Sequence, residues 1–162
     1  MTEEAAITLK KLMALCSRSE KCEYDALQYM TRHGASKEDA ALAVEYLVAN
    51  RFVDNQRYAL AYTADKFKFA RWGAHKIAAA LKAKRIPDAC ISEAIGQIVD
   101  PESENQTLAN ELAKKLRGIK NETKQKTREK LIRFAIARGY PTQRCISIIN
   151  SLLSGTISDN SN

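Results

Sequence analysis

The chain is poor in the residues that interrupt helices and in those that carry catalysis. Three prolines and six glycines are dispersed over 162 residues, and the glycines form no phosphate-cradling loop. Histidine occurs twice, at His33 and His75, and Cys16, Cys22, Cys90 and Cys145 form no C-x-x-C pair. These spacings do not suit a zinc site, and no H-E-x-x-H is present, so no metal is expected. Neither histidine has an obvious acid–base partner nearby in sequence, so neither an enzymatic activity nor a cofactor is expected. No run reaches the ~18 apolar residues needed to span a bilayer. The opening MTEEAAITLKK begins with two acids and has no apolar signal core. The expectation is a cytoplasmic protein, free of membrane, whose four cysteines are reduced thiols.

What remains is rich in Ala, Leu, Lys, Arg and Glu, which favours helix throughout. Periodicity and breaks predict helices over 4–17, 22–33, 37–49, 55–70, 74–84, 87–99, 102–118, 124–138 and 142–153. The inward stripes are read as Ile7, Leu9, Leu12, Met13 and Cys16 in the first helix. The second has Ala26, Leu27, Tyr29 and Met30, and the third Ala40, Leu42, Val44 and Leu47. In the fourth, Tyr58, Ala61, Tyr62 and Ala64 or Asp65 recur on successive turns. Gly34 suits a left-handed C-terminal cap, Ser36 and Asp54 suit N-caps, and Pro87 suits a first helical position. The polar tail GTISDNSN is expected to be disordered.

The order helix, connector, helix, short break, helix occurs three times. ALQYMTRHGAS at 26–36, KIAAALKAKRIP at 76–87 and KLIRFAIARGYP at 130–141 align, with breaks at Gly34, Arg85 and Gly139. Val44, Ile95 and Ile149 are read as equivalent core positions in the helices that follow. FVDNQRY at 52–58 is echoed by IVDPESENQ at 98–106. Breaks 51 and 54 residues apart fall in the range of tandem helical units. The expected fold class is all-α, with three three-helix repeats at 1–53, 54–100 and 101–153 forming an elongated, curved array. Residues 154–162 are the expected disordered tail.

Charge is uneven. Residues 1–50 hold six basic and eight acidic groups, 51–100 nine and five, and 101–162 eleven and six. From Lys66 to Arg85 there are seven basic residues and no acid: Lys66, Lys68, Arg71, Lys76, Lys82, Lys84 and Arg85. The last third adds Lys114, Lys115, Arg117, Lys120, Lys124, Lys126, Arg128, Lys130, Arg133 and Arg138. Only Glu122 and Glu129 stand between 112 and 138. A basic surface of this kind fits a polyanionic partner, nucleic acid or an acidic protein face. Phe67, Phe69 and Trp72 interleave with the first cluster. Phe67 is expected in the core, and Trp72, beside Gly73, is expected to wedge two helices together rather than stack on a base.

FVDNQRYALAYTADKFKFARWGAHKIAAALKAKRIPDACISEAI resembles the central signature of the RecX regulatory proteins. The resemblance is carried by Phe52, Asp54, Arg57-Tyr58-Ala59, Tyr62, the basic run into Arg71-Trp72-Gly73, Lys76-Ile77, Leu81, Lys84 and Ile86. CSRSEKCEYDALQYMTRHG and IRFAIARGYPTQRCISII, with Gly139, are similar to the flanking units, so the resemblance spans about 8–153. Arg85 departs from it, since the family usually has Gly after Lys. The resemblance implies three three-helix repeats and a monomer that binds the RecA filament on DNA and restrains it. ATP hydrolysis, strand exchange and coprotease activity would fall, a role in DNA repair, homologous recombination and the SOS response. Some members also bind DNA. The other readings are a DNA-binding module acting alone and a helical-repeat scaffold for another protein.

Overall fold

A computed structural model describes residues 1–155, so most of the expected tail lies outside the described residues. The described secondary structure is entirely helical, as expected. It comprises α1 (Glu3–Cys16), α2 (Glu23–Arg32), α3 (Lys37–Ala49), α4 (Asn55–Lys68), α5 (Ala74–Ala83), α6 (Asp88–Ile98), α7 (Pro101–Arg117), α8 (Lys124–Ala137) and α9 (Thr142–Leu153). No described helix is long and apolar enough to cross a membrane. All four cysteines are free.

Short polar side chains start most of these helices by accepting an otherwise unpaired N–H. Thr2, Ser36, Asp100 and Thr123 cap α1, α3, α7 and α8 through the N–H three residues on. Asp54 does the same for α4 through Arg57 N–H at 3.0 Å. The Asp54 and Asp100 caps follow Val53 and Val99, both buried, so the echo between the two connectors is structural. Cys22 caps α2 with its sulfur, 3.4 Å from the Asp25 nitrogen. Burial there pushes its thiol up to about 11, which makes it a structural cap rather than a nucleophile.

Two compact units divide the described chain. Unit 1 is Met1–Tyr62 with Ala80–Ala94, and unit 2 is Thr63–Ala79 with Ile95 onward. The core of unit 1 gathers Ala5, Leu9, Leu12, Ala26, Met30, Ala40, Ala43, Leu47 and Val53. The core of unit 2 gathers Leu108, Leu112, Leu131, Ala135, Tyr140, Cys145, Ile149 and Leu152.

The three breaks share one backbone conformation. Gly34, Arg85 and Gly139 all have positive φ, at 87°, 58° and 90°. In each, the next residue's N–H reaches back five residues: Ala35 to Met30, Ile86 to Leu81 and Tyr140 to Ala135. That is the hydrogen bond of a Schellman motif. Burial repeats at the same offsets. Twelve residues before the break lie Cys22, Gly73 and Thr127, eight before lie Ala26, Ile77 and Leu131, and four before lie Met30, Leu81 and Ala135. Six after lie Ala40, Ile91 and Cys145, and all twelve are buried.

Several sequence-based inward positions shift. Ile7 is 51% exposed and Leu42 47% exposed, because the buried lines run through Ala5, Leu9 and Leu12, and through Ala40, Ala43 and Leu47. Small alanines hold the helix contacts there, and the larger neighbours are displaced to the outer face. In α4 the inward line is Ala59, Thr63 and Phe67, so Ala61 and Asp65 face out and Tyr58 and Tyr62 are half-buried. Val44 and Ile95 are likewise half-buried, and the register that repeats is that of Ala40, Ile91 and Cys145.

Candidate functional site

The joint after α4 is held by several hydrogen bonds within unit 2. Tyr140 donates its hydroxyl to the Arg71 carbonyl at 2.6 Å, and Arg138 Nη1 donates to the Ala70 carbonyl at 3.3 Å. Gly73 N–H donates to the Arg138 carbonyl at 2.8 Å, and His75 N–H to the Gly139 carbonyl at 3.0 Å. Burial, then Glu111 and Glu104, hold the Tyr140 phenol above its ordinary range, which keeps the hydroxyl a donor. Arg71 sits at φ 57° and pairs with Glu111 at 3.3 Å. Gly73 and Gly139 approach so closely that a Cβ on Gly73 would lie 2.5 Å from the Gly139 carbonyl oxygen.

Glu104 anchors the other side of the joint and was not singled out by the sequence. It is 2% exposed, accepts Ala74 N–H at 2.8 Å at the start of α5, and is ion-paired to Arg144. A carboxylate at a helix N-terminus meets both an unpaired N–H and the positive end of the helix dipole. Glu104→Ala removes both partners at once. Thermal unfolding of that variant is expected to show a loss of about 2–4 kcal/mol. Arg71→Ala, whose side chain is half exposed, is expected to cost under about 1 kcal/mol.

The basic residues sort by unit. Lys66 and Lys76 place their ammonium groups 4.9 and 4.3 Å from the Trp72 ring centroid. That ring is therefore half-buried under cations. Phe67 is buried as expected, whereas Phe69 is 78% exposed beside Lys68. Between the end of α7 and α8 run two adjoining grooves of about 300 and 670 Å³. They share Lys115, Gly118, Ile119 and Phe134; Glu111, Lys114 and Arg138 line the first, and Lys120, Lys130 and Arg133 the second. Lys115 and Arg138 lie over the Phe134 ring at 5.5 and 4.9 Å. The acids at this surface are engaged, Glu111 by Arg71 and Glu122 by Lys130 at 2.8 Å. Among the described residues, Lys114, Lys120 and Arg133 make no ion pair.

Other predicted residues stand apart from the groove. Lys124 and Lys126 occupy the first turn of α8, where the helix dipole disfavours them, and Arg128 donates to Asn150 at 3.2 Å. Arg117 is exposed in the last turn of α7. Lys82, Lys84 and Arg85 belong to unit 1. There Lys84 pairs with Asp25 at 2.5 Å, which raises its pKa, and Arg85 lies over Tyr24 at 5.0 Å. Of the signature residues, Phe52 packs on the unit 1 core, Asp54 caps α4, and Tyr58 and Tyr62 stack 5.8 Å apart. Gly73 and Gly139 form the joint itself. Among the described residues no cluster of His, Cys, Asp or Glu could hold a metal.

These features define an all-helical protein of short, similarly broken helix pairs with a cation-rich surface in its second unit. Residues 54–95 match the family model described as RecX, second three-helix domain. Over 138 residues the chain is 30% identical to "Regulatory protein RecX" of Clostridium perfringens strain SM101, covering 83% of this chain and 63% of that protein. It is 28% identical to the protein of the same name from Clostridium tetani, covering 84% and 62%. The chain thus spans under two thirds of these relatives' length. A crystal structure of regulatory protein RecX superposes with a TM-score of 0.82 at 18% identity, covering 91% of this chain and 72% of that one. RecX from Lactobacillus salivarius gives 0.78 at 12%, covering 94% and 98%. The chain thus carries a match to the second three-helix domain of RecX at 54–95 and is similar in sequence and fold to regulatory RecX proteins.

Proposed function

We propose that this protein is a non-enzymatic regulator that binds the RecA filament on DNA and lowers its recombinase, ATPase and coprotease activities. The observation that carries the reading is the similarity of 83% of the chain to a RecX regulatory protein. The cation-rich face of unit 2 supplies a physical means. Its Lys114, Lys120 and Arg133, which make no ion pair among the described residues, would meet acidic side chains of the filament, DNA phosphates, or both. Three three-helix units, at 1–53, 54–100 and 101–153, would present that face from a cytoplasmic monomer. Saturating protein added to RecA on single-stranded DNA is expected to suppress ATP hydrolysis and strand exchange; unchanged rates would sink the reading. The second reading, a DNA-binding module without RecA, is favoured by the same cations. Its signature is binding to bare DNA that weakens steeply with salt.

A further inference from the structure

Three aromatic rings of unit 2 lie outside its buried core among basic residues, and two are already covered. Trp72 carries the ammonium groups of Lys66 and Lys76, and Phe134 lies under Lys115 and Arg138. Phe69 is the exception, with 78% of its surface open. Its exposure does not come from a loose segment. Its own N–H donates to the Asp65 carbonyl at 2.9 Å. The carbonyls of the next two residues accept from Arg138 and Tyr140, and Gly73 two residues later is locked against Gly139. The loop holds a bare ring outward beside Lys68, on a backbone with little freedom left to lose on binding.

We infer that Phe69 is a stacking platform for an unpaired base, so that this face binds single-stranded nucleic acid in preference to duplex. A bare aromatic ring flanked by cations matches the two needs of a single strand, a π-face for a base and positive charge for its phosphates. Bases in a duplex are already stacked on one another, so the ring gains nothing from them. The cations alone would bind both forms. An apolar pocket in a protein partner could also accept Phe69, but the residues nearest it in sequence are basic, and although Lys66 and Arg71 pair with Asp65 and Glu111, Lys68 beside it makes no ion pair among the described residues, which favours the polyanion. The inference extends the DNA-binding part of the reading above and does not depend on RecA.

The test is fluorescence anisotropy with labelled dT20, rU20 and a 20-base-pair DNA duplex, using wild type, Phe69→Ala, Phe69→Leu and Phe69→Tyr. Wild type is expected to bind strand more tightly than duplex, with the tighter of dT20 and rU20 naming the sugar. Ala and Leu are expected to lose about tenfold or more on the strand, Tyr to retain affinity, and all four to bind duplex alike. Melting temperature should not change, because the side chain is exposed. The stacking role is overturned if Ala binds dT20 and rU20 as wild type does, or if Leu retains what Ala loses. Equal losses on duplex, or a lowered melting temperature, would also overturn it. Strand binding that is salt-sensitive but indifferent to Phe69 would leave the phosphate contacts standing and remove the base contact. No wild-type binding to either strand would remove both. Loss of binding to the RecA filament with unchanged strand binding would make Phe69 a protein anchor instead.

Discussion

Gly139→Ala is expected to be among the most damaging single substitutions in this chain, costing roughly 3–5 kcal/mol. Two penalties add. Gly139 sits at φ 90°, where an alanine is strained by about 1–2 kcal/mol. Its new Cβ would also lie 2.2 Å from Lys76 Cβ and 2.4 Å from Lys76 N. Neither atom is the end of a flexible side chain, so relief requires the α5 backbone to retreat. That retreat would pull apart the hydrogen bonds from Gly73 and His75 and expose the core beside Tyr140. Thermal melting should fall by about 10 °C or more. Gly73→Ala meets the Gly139 carbonyl at 2.5 Å and should behave similarly.

Gly34 provides the internal control. It occupies the equivalent break at φ 87°, yet a Cβ there meets nothing within 4 Å. Gly34→Ala therefore carries only the backbone strain, about 1–2 kcal/mol. Arg85 already carries that strain in the remaining break, so Arg85→Gly should be close to neutral for stability. If Gly34→Ala proved as damaging as Gly139→Ala, close packing would not be what distinguishes the two breaks.

These same positions show what the sequence made legible. Gly34, Arg85 and Gly139 align by spacing alone, and the structure gives them one left-handed conformation and one hydrogen-bond pattern. An arginine at the middle break did not alter the turn, because the penalty of a positive φ is small beside the packing of Leu81 and Ile86 on either side of it. The helices were legible because their caps and breaks are local. The inward faces were less so. Hydrophobicity ranked Ile7 and Leu42 above Ala5 and Ala43, but a close helix contact selects small side chains, and periodicity cannot tell which of two apolar lines the partner covers. The Glu104–Ala74–Arg144 contact was not legible at all. It joins residues 30 and 40 positions apart, and a lone glutamate in an acidic first turn carries no signal that it is buried. The basic run was visible, but its division was not. Sequence placed Lys82, Lys84 and Arg85 with the rest, whereas Lys84 is neutralised by Asp25 in unit 1.

That division sets up the second large effect. Reversing Lys114, Lys120 and Arg133 together to Glu is expected to weaken filament and DNA binding on the order of 100-fold, with the salt dependence reduced by roughly three cation contacts. None of the three makes an ion pair among the described residues, so each substitution should alter stability by no more than about 0.5 kcal/mol. The new carboxylates would join Glu111, which lines the groove, and Glu122, which pairs with the groove's Lys130, and turn an attractive field repulsive. Lys82→Glu with Arg85→Glu tests unit 1 in the same way. There the acids of α2 and α3 already offset the positive charge, since Glu23 and Glu45 line the groove that Arg85 borders. A smaller loss, under about tenfold, is expected from that pair. Isothermal titration or anisotropy at two salt concentrations separates the two variants. Equal losses would mean that the contact surface includes unit 1. A triple reversal that left binding and its salt slope intact would show that the α7–α8 groove is only a solvated basic face.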